Sequence, residues 1–392
     1  MYRKHYLKGY QYNPPQPKYY PFELNLVKSN EMFIQINPEY NNFYSELKIA
    51  IEKRENEIIK ELNQNNLLNQ LTLCTEKIMI ILERIKNESP MIDNIIIVGS
   101  FANRTMNVTK LSSDLVLILN YYQKGIFQNF MIQLGEIFMQ AIKTEPIISQ
   151  NKFKCLIKAY GFSFIGDVSI NFRFAVRQEN FFQIKDINLR HEMMRTLASI
   201  RHASFNKTCA NSSVRTISRL LRDIASRNRR IAIMNPWMID IVSYYVVFHN
   251  LQTNELPLPQ AFMRVFELLS AGLFTTSSIG ILDPCENYAF SVHANMTLAA
   301  QEALMEEAQI LLLKLTQEKF HEVFNIKNEN ETKNKDAFDY EEIIRNEFNN
   351  AFKYNDNNNN QDLEQEEEEE EDTNDSDVIY LGEQAIEVVE VE

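Results

Sequence analysis

The sequence predicts an α/β domain built on a mixed sheet, then an all-helical domain, then an acidic tail. Three observations predict it. Short β-branched apolar runs interleave with one helix-period segment between residues 94 and 176, helical periodicity continues almost unbroken from 190 to 324, and the composition turns polar and acidic after 327. The expected boundaries are an extended arm at 1–20, the α/β domain at 21–190, the helical domain at 191–326 and a disordered tail at 327–392.

Each element follows from its residues. The stretch Tyr10–Tyr20 mixes Tyr, Pro, Gln and Lys without periodicity. Such an arm binds RNA through interleaved aromatics and lysines or packs its tyrosines on its own domain. From Asn41 to Asn87 apolar residues recur near every 3.6 positions, giving two helices broken around Asn63–Asn69. Asn94–Ser100 and Leu115–Leu119 read as buried strands, Phe127–Lys143 as a helix, and Phe153–Tyr160 and Val168–Val176 as strands. Helices are then expected at 190–204, 212–228, 236–250, 259–272 and 297–324, separated by Asn, Pro, Gly and Ser.

The net charge of −13 over 392 residues is unevenly spread. Residues 331–392 hold 22 acids and 4 bases, net −18, which leaves 31 acids and 36 bases, net +5, before them. Like charges at that density repel and offer no apolar face, so the tail is expected to stay unfolded. Nine glycines and eleven prolines exclude a collagen-like chain. Cys74, Cys155, Cys209 and Cys285 lie 81, 54 and 76 residues apart, so no pair has zinc-finger spacing and free thiols are expected. No signal-peptide pattern and no uncharged apolar run of about 18 residues occurs, which points to a soluble intracellular protein with no membrane partner.

The chemistry centres on Val98-Gly99-Ser100 and Asp114-Leu115-Val116. A strand feeding a Gly-Ser turn lets phosphates approach backbone amides, and a second strand presents residues i and i+2 on one face. Template-free nucleotidyltransferases of the polymerase-β-like class use this layout, with two acids at i and i+2 and a third on a neighbouring strand holding two magnesium ions. Here Asp114 is the remnant acid and Val116 stands at the lost position. On the third strand the same-face residues are Ser169 and Asn171, with Asp167 the nearest carboxylate. The residues therefore favour the fold and disfavour the reaction, with no metal site and no catalytic residue expected.

The helix Ser212–Ala225 carries an apolar stripe of Val214, Ile217, Leu221 and Ile224, with Arg215, Arg219 and Arg222 on another face. Those arginines are either a solvated face or a receptor for phosphates. Trp237, the single tryptophan, is either a core anchor or a base-stacking plate. The apolar loop Ser270–Glu286 covers either a core or a partner.

Several of these stretches occur in one order, and together the chain resembles the DZF domain ("domain associated with zinc fingers") family from about Pro21 to Phe324. They are Val98-Gly-Ser-Phe101, Ile200-Arg-His202, Ser213–Asp223, Pro236–Asp240, Ala271–Phe274, Gly280–Glu286 and Val292–Leu298. The resemblance implies a nucleotidyltransferase-like fold without transferase activity. It implies an obligate heterodimer with a larger DZF protein that carries double-stranded-RNA-binding domains or zinc fingers. Double-stranded RNA is then met through the complex, and the role lies in nuclear RNA metabolism and transcriptional control, with shuttling to the cytoplasm. No cofactor is required, but a nucleoside triphosphate could be held by Gly99, Ser100, Arg215, Arg222 and Trp237. The partner would be met by Leu256–Phe324, including Phe266, Leu269, Leu273, Phe274, Ile279, Asp283 and Pro284. Two other readings stand beside this one. An active metal-dependent transferase would use Asp167 or Asp186 as a relocated carboxylate, and a regulator would hold nucleotide without turnover.

Overall fold

The structure, a computed structural model, describes residues 38–326 apart from 108–110, 123, 145–152, 159–160, 250–254, 277 and 287–289. The arm expected at 1–20 and the acidic tail lie outside the described residues.

Two helices open the described chain, α1 (Pro38–Asn63) and α2 (Leu67–Glu88), joined by the single 3₁₀ turn Gln64–Asn66. The break falls where asparagines cluster because Asn66 takes a left-handed φ of 59°, which Asn tolerates better than most residues. The sheet strands are β1 (Ile92–Val98), β2 (Ser112–Leu119), β3 (Lys154–Lys158), β4 (Gly161–Ile165) and β5 (Ser169–Val176). Their spatial order is β1-β2-β5-β4-β3, with β2 and β5 parallel and the other neighbours antiparallel. The α/β half therefore has the mixed sheet expected of it. The five-residue turn α3 (Gly99–Asn103) follows β1, and α4 (Lys124–Thr144) follows β2.

Strand β4 is the strand that the sequence reading missed. It is legible only in three dimensions, because Gly161 lies so close to its neighbour that a Cβ there would sit 2.3 Å from the Phe172 carbonyl oxygen. That approach lets Phe162 stack on Phe172 with ring centroids 4.3 Å apart.

The helical half comprises α5 (Ile187–Cys209), α6 (Ser212–Arg227), α7 (Pro236–Phe248), α8 (Leu258–Ser270), α9 (Leu298–Thr316) and α10 (Phe320–Phe324). Side chains cap the starts: Asp186 for α5, Asn211 for α6 and Asn235 for α7, the last with Pro236 in its first turn. Val214, Ile217, Leu221 and Ile224 are all buried, so the stripe read on α6 is its core face. The expected domain boundary at 190/191 falls inside α5, and α1 packs on the helical half rather than on the sheet alone. Arg54 of α1 makes a bidentate ion pair with Asp223 of α6 at 2.7 and 3.0 Å, and Phe43 meets Phe320 at 5.7 Å.

The two sheet faces are differently covered. Leu115, Leu117 and Leu119 of β2 enter the main core with Phe172 and Phe174. Val116 enters a second cluster with Val98 and Ala175, roofed by Leu197, Ile200 and Ala203 of α5. No helix among the described residues is long and apolar enough to cross a membrane.

Candidate functional site

Asp114 is the third residue of β2 and lies opposite Val98 on β1 and Asn171 on β5. Asn171 Nδ2 donates to Asp114 Oδ1 at 2.9 Å. Gly99 has φ +74°, and a Cβ there would sit 2.8 Å from Asp114 Oδ2, so this turn requires glycine twice over. The sheet thus brings Gly99, Asp114 and the third-strand position together as the sequence suggested. That third position is filled by an amide.

A two-ion magnesium centre does not fit these residues. Two ions about 3.5–4 Å apart need several carboxylates to offset their repulsion. Val116 is fully buried beneath α5, so the second ligand position is roofed with hydrocarbon as well as uncharged. Asp167 is exposed in the tight bend between β4 and β5, outside either strand. Asp186 Oδ1 accepts from the backbone N–H groups of Asn188 and Leu189 at 2.9 and 3.1 Å, which makes it a helix cap. The side-chain partner of Asp114 is Asn171.

The arginine face of α6 divides into committed and uncommitted members. Arg222 donates to buried Asp240 at 2.6 Å, and Asp240 also accepts from Asn206 at 3.1 Å and Asn103 at 3.4 Å. This one carboxylate ties α3, α5, α6 and α7 together, so Arg222 is corrected from a phosphate receptor to a structural cation. Arg219 pairs with Glu55 of α1 and donates to the Arg104 carbonyl at 2.7 Å. Arg227 pairs with Asp223 and Arg230 with Glu306. Arg215 makes no ion pair among the described residues, nor do Arg104 and Lys207. All three line an open groove of about 1170 Å³ bounded by α1, α2, β1, α3, α5 and α6, whose walls are largely apolar and include Ile59, Leu62, Ile96 and Ile200. Gly99, Ser100 and Asp114 are not among its lining residues, so the expected phosphate set is split between two places.

Trp237 sits elsewhere again. Its ring stacks on His202 at 3.6 Å and 5°, Phe205 meets it edge-on at 5.7 Å, and its Nε1 donates to Asp283 Oδ2 at 2.7 Å. One face is thus already covered, and the tryptophan anchors α7 to α5 rather than standing free as a plate for a base. Burial, aided by Arg201, holds the His202 imidazole down at about 3, so it is neutral. Burial pushes the Asp283 carboxyl and the Cys285 thiol up. His202 entered the sequence reading only as part of a signature, and Cys285 as part of another and as an expected free thiol. Nothing in their 83-residue separation could have joined them.

Of the residues expected at a partner contact, Phe266, Leu269, Leu273 and Phe274 fill this chain's own core and present no surface, and Asp283 is buried as well. Pro284 is half-buried and Ile279 is 59 % exposed. Leu282, Phe290, Leu298, Ile310 and Leu313 are exposed apolar side chains that the sequence reading did not single out.

Residues 213–343 match the family model of the DZF C-terminal domain, the stretch that contains most of the signatures noted above. Among solved structures, the chain is similar to Cid1 in complex with the UTP analog UMPNPP, at 12 % identity over 71 % of this chain and 97 % of that chain, with a TM-score of 0.45. It is similar to the GLD-2/RNP-8 complex at 9 % identity over 72 % and 99 %, TM-score 0.45. It is also similar to CdnC from E. coli MS115-1 in its complex with HORMA-deltaN, at 14 % identity over 71 % and 92 %, TM-score 0.42.

Proposed function

We propose that this chain is a nucleotidyltransferase-fold protein without phosphoryl-transfer activity, and that it works as the obligate partner of a larger DZF protein bearing double-stranded-RNA-binding domains or zinc fingers. On this reading it resembles interleukin enhancer-binding factor two, the smaller subunit of a nuclear pair that acts in RNA metabolism and transcriptional and post-transcriptional control. The observation that carries the inactivity is the Asp114–Asn171 hydrogen bond beside buried Val116. One carboxylate cannot hold the ion pair that would position a leaving pyrophosphate. Partner binding is supported by the exposed Ile279, Leu282 and Phe290 on the loop pair around the Leu282–Ser291 bridge.

The decisive experiment incubates the full chain with RNA, Mg²⁺ or Mn²⁺ and labelled nucleoside triphosphates. Incorporation equal to that of Asp114→Ala is expected, and incorporation well above it would overturn the inactivity. Size-exclusion chromatography with and without a larger DZF protein tests the second part; a chain that stays monomeric and indifferent to that protein sinks it.

A second reading, a nucleotide-binding regulator, is favoured by the uncommitted Arg104, Lys207 and Arg215 in one groove. It expects a nucleoside triphosphate to raise the melting temperature of the wild type and not of Arg215→Ala.

A further inference from the structure

The end of α5 and the loop before residue 286 bring three different donor atoms to one place. A ring nitrogen of His202, an Asp283 carboxylate oxygen and Cys285 Sγ all lie within 4.8 Å of one another, the one such group among the described residues. His202 Nε2 is 3.9 Å from Asp283 Oδ2. It is buried and has no hydrogen-bond partner, which is an uncommon state for a ring nitrogen facing a carboxylate. A tetrahedral ion with bonds of 2.0–2.3 Å separates nitrogen, oxygen and sulfur ligand atoms by about 3.3–3.7 Å, so the three need to close by at most about 1.5 Å.

The surroundings are those of an oriented ligand set. Asp283 Oδ2 accepts from Trp237 Nε1 at 2.7 Å, and Oδ1 accepts from the Cys285 backbone N–H at 2.8 Å. Both bonds fix the carboxylate and leave further lone pairs on it. The charged neighbours are Arg201, which donates to the Cys285 carbonyl at 3.1 Å, and Glu286, with which Arg201 pairs.

We propose that His202, Asp283 and Cys285 form a binding site for one zinc-class divalent cation, with water completing the coordination. One imidazole, one carboxylate and one thiolate suit Zn²⁺ or Co²⁺ and not the all-oxygen preference of Mg²⁺ or Ca²⁺. On binding, the Cys285 S–H proton leaves to solvent as the sulfur–metal bond forms, while the neutral imidazole donates its free lone pair. The site is separate from Asp114, so it stands whether or not the inactivity proposed above is right.

Trp237 is the only tryptophan in the chain, and it touches two of the three ligands, which makes its emission a local probe. Full-length chain stripped with a chelator and titrated with Co²⁺ should show saturable quenching of that emission, complete at one equivalent. A near-ultraviolet sulfur-to-cobalt absorption should rise with it, Zn²⁺ should reverse both, and Mg²⁺ should do nothing. Cys285→Ser should abolish the absorption and weaken Co²⁺ binding about tenfold or more, while Cys209→Ser should behave as wild type. Absence of the absorption in the wild type, a band that depends on Cys209 instead, or a Cys285→Ser titration superimposed on the wild type overturns the proposal. Should Cys285→Ser lose its helical circular dichroism, the wild-type and Cys209→Ser titrations still decide.

Discussion

Two regions of this molecule hold carboxylates in contrasting ways. On the sheet, half-buried Asp114 is met by an uncharged amide, Asn171, and by the bare backbone of Gly99. In the helical half, Asp223 and Asp240 are 6 % and 3 % exposed, and each is met by a guanidinium. The difference teaches what each acid is for. A carboxylate taken fully out of water must be neutralised and hydrogen-bonded, so the arginines there are spoken for by the fold. Asp114 keeps enough solvent to need only an amide.

That contrast can be broken at its strongest point first. Asp223→Ala leaves Arg54 buried without its bidentate partner and should cost about 3–5 kcal/mol in urea unfolding, whereas Asp114→Asn should stay within about 0.5 kcal/mol. Equal losses would mean that the sheet acid is structural too. Val116→Asp, which restores a carboxylate at the lost ligand position, should destabilise by about 3 kcal/mol because α5 roofs that position with Leu197, Ile200 and Ala203. A stable Val116→Asp variant that gains nucleotide incorporation would show that the roof opens.

The smallest effect sharpens the same point for a neutral buried group. Burial, with Arg264 beside it, holds the His249 imidazole at about 4, against Tyr245 stacked at 4.6 Å and Tyr244 edge-on at 5.7 Å. Its folded value lies below the unfolded value near 6.5, so the unfolded chain binds the extra proton as pH falls. The stability it confers is complete above pH 6.5 and is lost between 6.5 and 4, on the order of 1–3 kcal/mol. His249→Phe should therefore flatten the melting-temperature decline across that window, and an unchanged slope would place the proton elsewhere.

Much of the architecture was legible because it depends on local pattern. The two opening helices with their asparagine break, the Gly-Ser turn after β1 and the buried stripe of α6 follow from spacing of 3.6 or 2 and from residues with known backbone habits. Partner choice among arginines was not legible. Arg215 and Arg222 look alike in sequence, yet one lines an open groove and the other closes on Asp240, because only packing decides which guanidinium meets a carboxylate. The expected contact residues Phe266 to Phe274 erred for the same reason, since an apolar helix end reads identically whether it faces its own core or a partner.

By itself, then, the chain's order of residues determined where helices and strands form and that Val116 supplies hydrocarbon at a ligand position. It did so because backbone preference and side-chain alternation act over a few residues. The fold alone decided that Asn171 answers Asp114, that Trp237 is stacked on His202, and that Asp283 and Cys285 arrive beside that same imidazole. Each of those meetings joins segments 35 to 83 residues apart, and their distances are set by how the sheet and helices pack.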